Sequence, residues 1–161
     1  MENHDYGHCD ACGKPLAARH FTFNRQVEQY HYGQDNTDEG MSCDVLSAET
    51  LAAYCNAECA WPAMLAALAA RGIKCTGGGA GPIEACSKCS GPVVMSQPHV
   101  AYIVHDETEV HKPWLTEARV HSAEGLADIC VRCEGDVAAD AANLPEAIEF
   151  GLHEIAEIQF R

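Results

Sequence analysis

The chain has 161 residues, a formal net charge of −14, 47% hydrophobic residues and ten cysteines. That length allows one domain or two small ones. The negative charge repels phosphate and disfavours nucleic acid, and the longest apolar stretch, Ala60 to Ala70, is too short to cross a bilayer. The N-terminal Met-Glu-Asn-His-Asp-Tyr is polar and lacks an apolar leader, which points to a reducing, cytoplasmic setting. In such a compartment, paired cysteines read as metal ligands rather than as disulfides.

In chain order, the first signal is Cys9-Asp-Ala-Cys12, followed by Gly13 and Pro15. The same arrangement returns at Cys86-Ser-Lys-Cys89, followed by Gly91 and Pro92. Each predicts a tight turn whose backbone N–H groups face the sulfurs. Strand-like stretches come next: His20–Phe23 and Val27–Tyr30 in the first copy, Val100–Val104 and Glu107–Val110 in the second. Their β-branched and aromatic residues predict a hairpin in each copy, each stretch forming one arm. Residues 33–44 read as a polar loop.

Ser47-Ala-Glu-Thr-Leu-Ala-Ala-Tyr-Cys55 matches Ser122-Ala-Glu-Gly-Leu-Ala-Asp-Ile-Cys130 at six of nine positions. Ser47 and Ser122 are expected to cap short helical turns, with Glu49 and Glu124 in the first turn, where negative charge suits the helix dipole. Asn56 is the expected N-cap of an alanine-rich helix ending at Arg71, with Gly72 just past its end and Pro62 near its start. Residues 73–85 read as a glycine-rich linker. The alanine-rich sequence from Val131 to Ala142 predicts helix, and Asn143 and Pro145 restart one that places Ile148, Leu152 and Ile155 on one face.

Zinc takes four thiolates in a tetrahedron, two from a Cys-x-x-Cys turn and two from a second pair. The repeat therefore predicts two closed, structural zinc sites per chain. The first is Cys9, Cys12, Cys55 and Cys59; the second is Cys86, Cys89, Cys130 and Cys133. With both filled, the net charge falls to about −18. The knuckle, hairpin and second pair, and above all Tyr54-Cys55-Asn56-Ala57-Glu58-Cys59, resemble the treble-clef and zinc-ribbon-like group of zinc fingers. That resemblance implies a small α+β, zinc-stabilised fold. Its parts are two zinc knuckle–β-hairpin–helix modules and a C-terminal amphipathic helix. It says little about function, and Cys130-Val-Arg-Cys133 departs from it by being one residue shorter. The modules are expected over 1–72 and 86–161, joined by the linker 73–85. Cys43 and Cys75 have no counterparts in the other copy and are expected to be free thiols.

Two catalytic patterns compete. His105-Asp-Glu107 before Cys130-Val-Arg-Cys133 resembles the zinc-dependent nucleobase deaminases, in which His and two Cys hold zinc and Glu moves protons. The repeat instead assigns Cys130 and Cys133 to Cys86 and Cys89, which leaves no open position for water. His153-Glu-Ile-Ala-Glu157 lacks the second histidine of a metalloprotease helix. His8, beside Cys9, is a competing ligand for the first site. Trp61 is expected in the core and Trp114, beside Pro113, as a contact residue. The sequence thus leads to a non-catalytic zinc protein that binds a basic protein partner, as an inhibitor, immunity or adaptor protein does. A nucleic-acid-binding zinc finger acting through Lys14, Arg19 and Arg25 ranks below it, and a zinc hydrolase or deaminase below that.

Overall fold

A computed structural model describes residues 4–33 and 41–135. Two long hairpins dominate it. Strands β1 (Arg19–His31) and β2 (Ser42–Tyr54) form the first. Helix α1 (Ala57–Ala70) follows, then the short strands β3 (Ile83–Ala85) and β4 (Pro92–Val94). The second long hairpin is β5 (His99–Lys112) with β6 (Leu115–Ile129). The two hairpins join edge to edge in one antiparallel sheet of order β2-β1-β5-β6, symmetric about the β1–β5 seam. Along that seam Arg19 pairs with Thr108, Arg25 with Tyr102 and Glu28 with His99.

This arrangement corrects the expected strand plan. The stretches His20–Phe23 and Val27–Tyr30 are not the two arms of a hairpin; both lie within β1. Val100–Val104 and Glu107–Val110 likewise both lie within β5. The returning arm in each copy is the shared Ser-Ala-Glu-x-Leu-Ala text, which forms β2 and β6 rather than helical turns. Two β-bulges bracket that text in each copy. In β2, Leu51 and Leu46 fall outside the one-to-one register with β1. In β6, Leu126 and His121 do so against β5. An extra residue at a bulge breaks the period-two alternation and turns the strand more sharply, so these stretches imitate helical spacing. Glu49 and Glu124 pair with Arg25 and Val104 across their hairpins, so no helix dipole acts on them.

The helix reads as expected at both ends. Asn56 accepts the Cys59 N–H at 2.8 Å, and Glu58 lies in the first turn. At the far end Gly72 N–H bonds Ala69 O, and Ile73 N–H bonds Leu68 O. This Schellman cap requires the left-handed conformation that Gly72 adopts at φ 73°. Ala60, Met64 and Leu68, spaced one turn apart, bury one stripe of α1 on the sheet. They share one buried core with Phe23, Val27, Val100, Tyr102, Leu126 and Ile129 of the sheet. Pro62 lies inside α1, which nevertheless continues to Ala70. Among the described residues α1 is the only helix longer than a turn. Val131–Cys133 form a turn, with Cys133 N–H on Cys130 O, where helix was expected. The remainder of that expected helix and the amphipathic segment carrying Ile148, Leu152 and Ile155 lie outside the described residues.

The glycine-rich segment 73–85 packs onto the sheet. Gly77 N–H bonds Leu126 O, Gly78 N–H bonds Gly125 O at 2.8 Å, and β3 pairs with β4. A second tie crosses the molecule at the seam. Arg25 holds Glu134 Oε2 at 2.6 Å, Tyr102 donates its hydroxyl to Glu134 Oε1 at 2.9 Å, and Arg71 at the end of α1 reaches the Tyr102 hydroxyl at 3.4 Å.

Candidate metal centres

The two knuckles are built alike. In the first, Cys9 N–H bonds Lys14 O, Gly13 N–H bonds Cys9 O, and His8 bridges Pro15. In the second, Cys86 N–H bonds Gly91 O, Ser90 N–H bonds Cys86 O, and Ala85 pairs with Pro92. The left-handed position is Gly13 in one copy, at φ 77°, and Ser90 in the other, at φ 64°. The counterpart of Gly13 is thus Ser90 and not Gly91. Gly91 instead keeps clear of the adjacent sulfur: a Cβ there would stand 3.2 Å from Cys89 Sγ.

Each knuckle meets the second cysteine pair at the end of its own hairpin. Cys55 directly follows β2 and Cys59 lies in the first turn of α1; Cys130 directly follows β6 and Cys133 lies in the turn after it. The result is two clusters of four cysteines, Cys9–Cys12–Cys55–Cys59 and Cys86–Cys89–Cys130–Cys133. Within each cluster the sulfurs all lie within 4.8 Å of one another. Cys12 and Cys55 are 3.6 Å apart, Cys55 and Cys59 3.7 Å, Cys89 and Cys130 3.6 Å, and Cys86 and Cys133 4.0 Å. Four thiolates about 2.3 Å from a tetrahedral zinc stand about 3.8 Å apart, so the clusters have the size of that ion's ligand shell.

The backbone is arranged for thiolates. Cys86 Sγ accepts N–H from Lys88 at 3.5 Å and Cys130 at 3.4 Å, and Cys9 Sγ accepts from Cys12 at 3.5 Å. Burial raises both thiols, yet these N–H groups outweigh it and bring Cys9 down to about 6 and Cys86 to about 7. Their neighbours shift the opposite way: Cys55 and Cys133 are pushed up to about 12 by the thiols around them and by desolvation. Four sulfurs so close cannot all ionise without a cation among them.

The competing motifs do not assemble. His105 and Glu107 lie along β5, where they pair with Ala123 and Val120, while Cys130 and Cys133 close with Cys86 and Cys89. His8 is not a member of the first cluster. His153 lies outside the described residues. Two of the three basic residues named for nucleic-acid binding hold carboxylate partners, Arg19 with Asp106 at 2.9 Å and Arg25 with Glu134 at 2.6 Å. No described helix is long and apolar enough to cross a membrane. Trp61 is half-buried against the core, and Trp114 is 81% exposed at the tip of the β5–β6 hairpin.

Cys43 and Cys75 are both free, the first buried and the second exposed. The Cys43 thiol donates to Glu28 Oε2, and burial, then the Glu28 charge, pushes its pKa up. Glu28 opens onto a feature that sequence reasoning missed. Glu28, His99 and Asp128 bring three ligand atoms within 4.8 Å of one another, all three residues being buried. They come from β1, β5 and β6, and no local spacing connects them. Burial, with Glu28 adding to it, pushes the Asp128 carboxyl up to about 6 against the Gly79 N–H that favours its charge. No family model matches the chain, and no curated protein or solved structure does so either.

Proposed function

We propose that this is a non-catalytic, zinc-stabilised cytoplasmic protein that binds a basic protein partner. Two structural zinc ions per chain fill the clusters Cys9, Cys12, Cys55, Cys59 and Cys86, Cys89, Cys130, Cys133. Four thiolates complete each shell, so neither ion keeps a position for water or substrate. The halves 1–72 and 86–161 each carry one ion, and 73–85 joins them.

The observation that carries the binding role is the end of the second hairpin. β1 pairs with β5 as far as Thr108 and Glu109 N–H bonds Ala18 O; beyond that β5 and β6 continue as a hairpin whose His111 carries the rings of His4 and Tyr6. Trp114 and Leu115 lie exposed at its tip. A bare indole on a chain of net charge −14 suits a partner that offers an apolar pocket within a basic surface. Inhibitor, immunity and adaptor proteins work in this way, by masking a partner's charged face.

Cross-linking capture at low and high salt tests this reading, with Trp114→Ala alongside. The expected result is a basic partner whose binding weakens as salt rises. Trp114→Ala is expected to weaken it by about 30-fold or more, as loss of a hot-spot aromatic does. Its thermal stability should stay within about 0.5 kcal/mol of the parent, because Trp114 lies outside the core and is 81% exposed. Binding indifferent to both salt and Trp114 would refute the role. A low-salt gel shift separates the nucleic-acid alternative, which the pairing of Arg19 and Arg25 weakens.

A further inference from the structure

We propose that Glu28, His99 and Asp128 form a third metal site, chemically unlike the cysteine clusters, that takes one divalent first-row transition ion and leaves part of its coordination shell open to a cavity. The three side chains are 1%, 1% and 4% exposed. Two carboxylates buried this deeply need a countercharge. Among the described residues no lysine or arginine bonds to any of the three; their partners are Gln26, Cys43, Gln97, the Gly79 N–H and one another. A protonated His99 offsets one of the two carboxylates, whereas a divalent ion offsets both.

The ligands are oriented as metal ligands are. The contact of His99 Nδ1 with Gln97 O, at 2.8 Å, places the ring proton on Nδ1 in the neutral imidazole. The Nε2 lone pair then faces Glu28 Oε1 at 3.1 Å. Either a proton on Nε2, which makes the contact an ion pair, or a metal ion satisfies it, and the metal takes the proton's place. Donor atoms about 2.1 Å from an ion stand about 3 to 3.5 Å apart, so this pair already has the spacing of neighbouring ligands. Gln26 Nε2 fixes Glu28 Oε2 at 2.7 Å, and Gly79 N–H fixes Asp128 Oδ2 at 3.1 Å. Such outer hydrogen bonds hold first ligands in place. One nitrogen and two carboxylates suit zinc, manganese, iron or cobalt, whereas the thiolate clusters select softer binding.

Glu28 and Asp128 also line a cavity of about 130 Å³ together with Tyr30, Gly78, Gly79 and Gly125. It has room for several waters or a small anionic ligand on the ion.

The internal duplication singles out this place. The seam presents a histidine–glutamate pair at both ends, Glu28 with His99 and Glu107 with His20. At the second end Glu107 is instead held by the Thr22 hydroxyl. The shared nine-residue text differs at three positions: Thr50 against Gly125, Ala53 against Asp128, and Tyr54 against Ile129. Two of those three build the site. Asp128 supplies the third ligand where the first copy has a methyl group. Gly125 lets Gly78 lie against β6, since a Cβ at residue 125 would stand 2.8 Å from Gly78 Cα.

The test uses the full chain loaded with two zinc ions, then titrated separately with Zn²⁺ and with Mn²⁺. Metal analysis reads the zinc arm, and loss of the free-ion EPR signal reads the manganese arm. The expected result is a third equivalent of either ion, zinc the tighter of the two. Asp128→Ala, which installs the first copy's residue, and Asp128→Asn should each weaken that uptake about 100-fold or more while keeping two zinc ions. Glu107→Gln, at the opposite end of the seam, should leave it unchanged. Failure of the parent chain to take up a third ion of either kind would overturn the proposal, and the cysteine sites would stand regardless. Uptake by both Asp128 variants at parental affinity would overturn it as well, as would equal loss in Glu107→Gln.

Discussion

Cys12→Ser is expected to release one zinc ion and to unfold the whole chain at physiological temperature. A serine hydroxyl stays protonated at neutral pH and does not replace a thiolate, so the first cluster keeps three ligands. Structural zinc contributes roughly 10 kcal/mol or more of apparent binding energy in small domains, against a net stability of about 5–15 kcal/mol for a whole protein. Losing even half of that leaves little. The second half should fail with the first, because β1 pairs with β5 along Arg19–Glu28, and Arg25 holds Glu134, the residue after Cys133. Zinc analysis should fall from two ions to one or none. Thermal unfolding, followed by circular dichroism, should show one transition lowered by at least 15 °C, a shift of about 4–7 kcal/mol for a chain of this size. Cys89→Ser should behave in the same way. Two resolved transitions, one at the parental temperature, would instead mean that the halves 1–72 and 86–161 fold independently.

The grouping of eight cysteines into two fours was legible because a Cys-x-x-Cys turn is a local event that happens twice. Asn56 and Gly72 were legible for the same reason: a cap is decided by residues within one turn of it. What the sequence misreported is the β2 and β6 text. Leu46 and Leu51, and His121 and Leu126, stand outside the register. They break the alternation by which a strand is recognised, and the serines look like caps. The hairpins were misplaced in consequence, since each first arm was divided in two. Ser90 shows a subtler limit. It adopts φ 64° where glycine is the expected residue, while the glycine of this turn stands one place later, beside Cys89 Sγ.

The Glu28–His99–Asp128 group could not have been found by spacing. Its members lie on three strands and meet only when the two hairpins join at the seam. The signal that was present is the pattern of divergence between the copies. Within the shared text, the changes to Gly125 and Asp128 have no explanation inside either hairpin alone, and each makes sense once Gly78 and Glu28 are placed beside them.

That signal leads to a second large effect. Gly125→Thr, which restores the residue of the first copy, is expected to destabilise the chain by about 3–5 kcal/mol. The added Cβ would stand 2.8 Å from Gly78 Cα and 3.2 Å from Gly78 N. Both are backbone atoms, so no side chain can swing aside. The segment must move off β6 and give up the bonds from Gly77 N to Leu126 O and from Gly78 N to Gly125 O. Overpacking costs about 1–3 kcal/mol and each lost hydrogen bond about 1 more. The same movement withdraws Gly79 N–H from Asp128, so uptake of the third ion should fall together with stability. Thr50→Gly in the first copy relieves no such contact. Its cost should stay near 2 kcal/mol, from strand propensity and the loss of the Thr50 hydroxyl bond to Asn24 at 2.8 Å. Denaturant unfolding of both variants measures the contrast. Equal midpoints would mean that the 73–85 segment does not hold to β6 in solution, and the cavity over Glu28 and Asp128 would lose its roof with it.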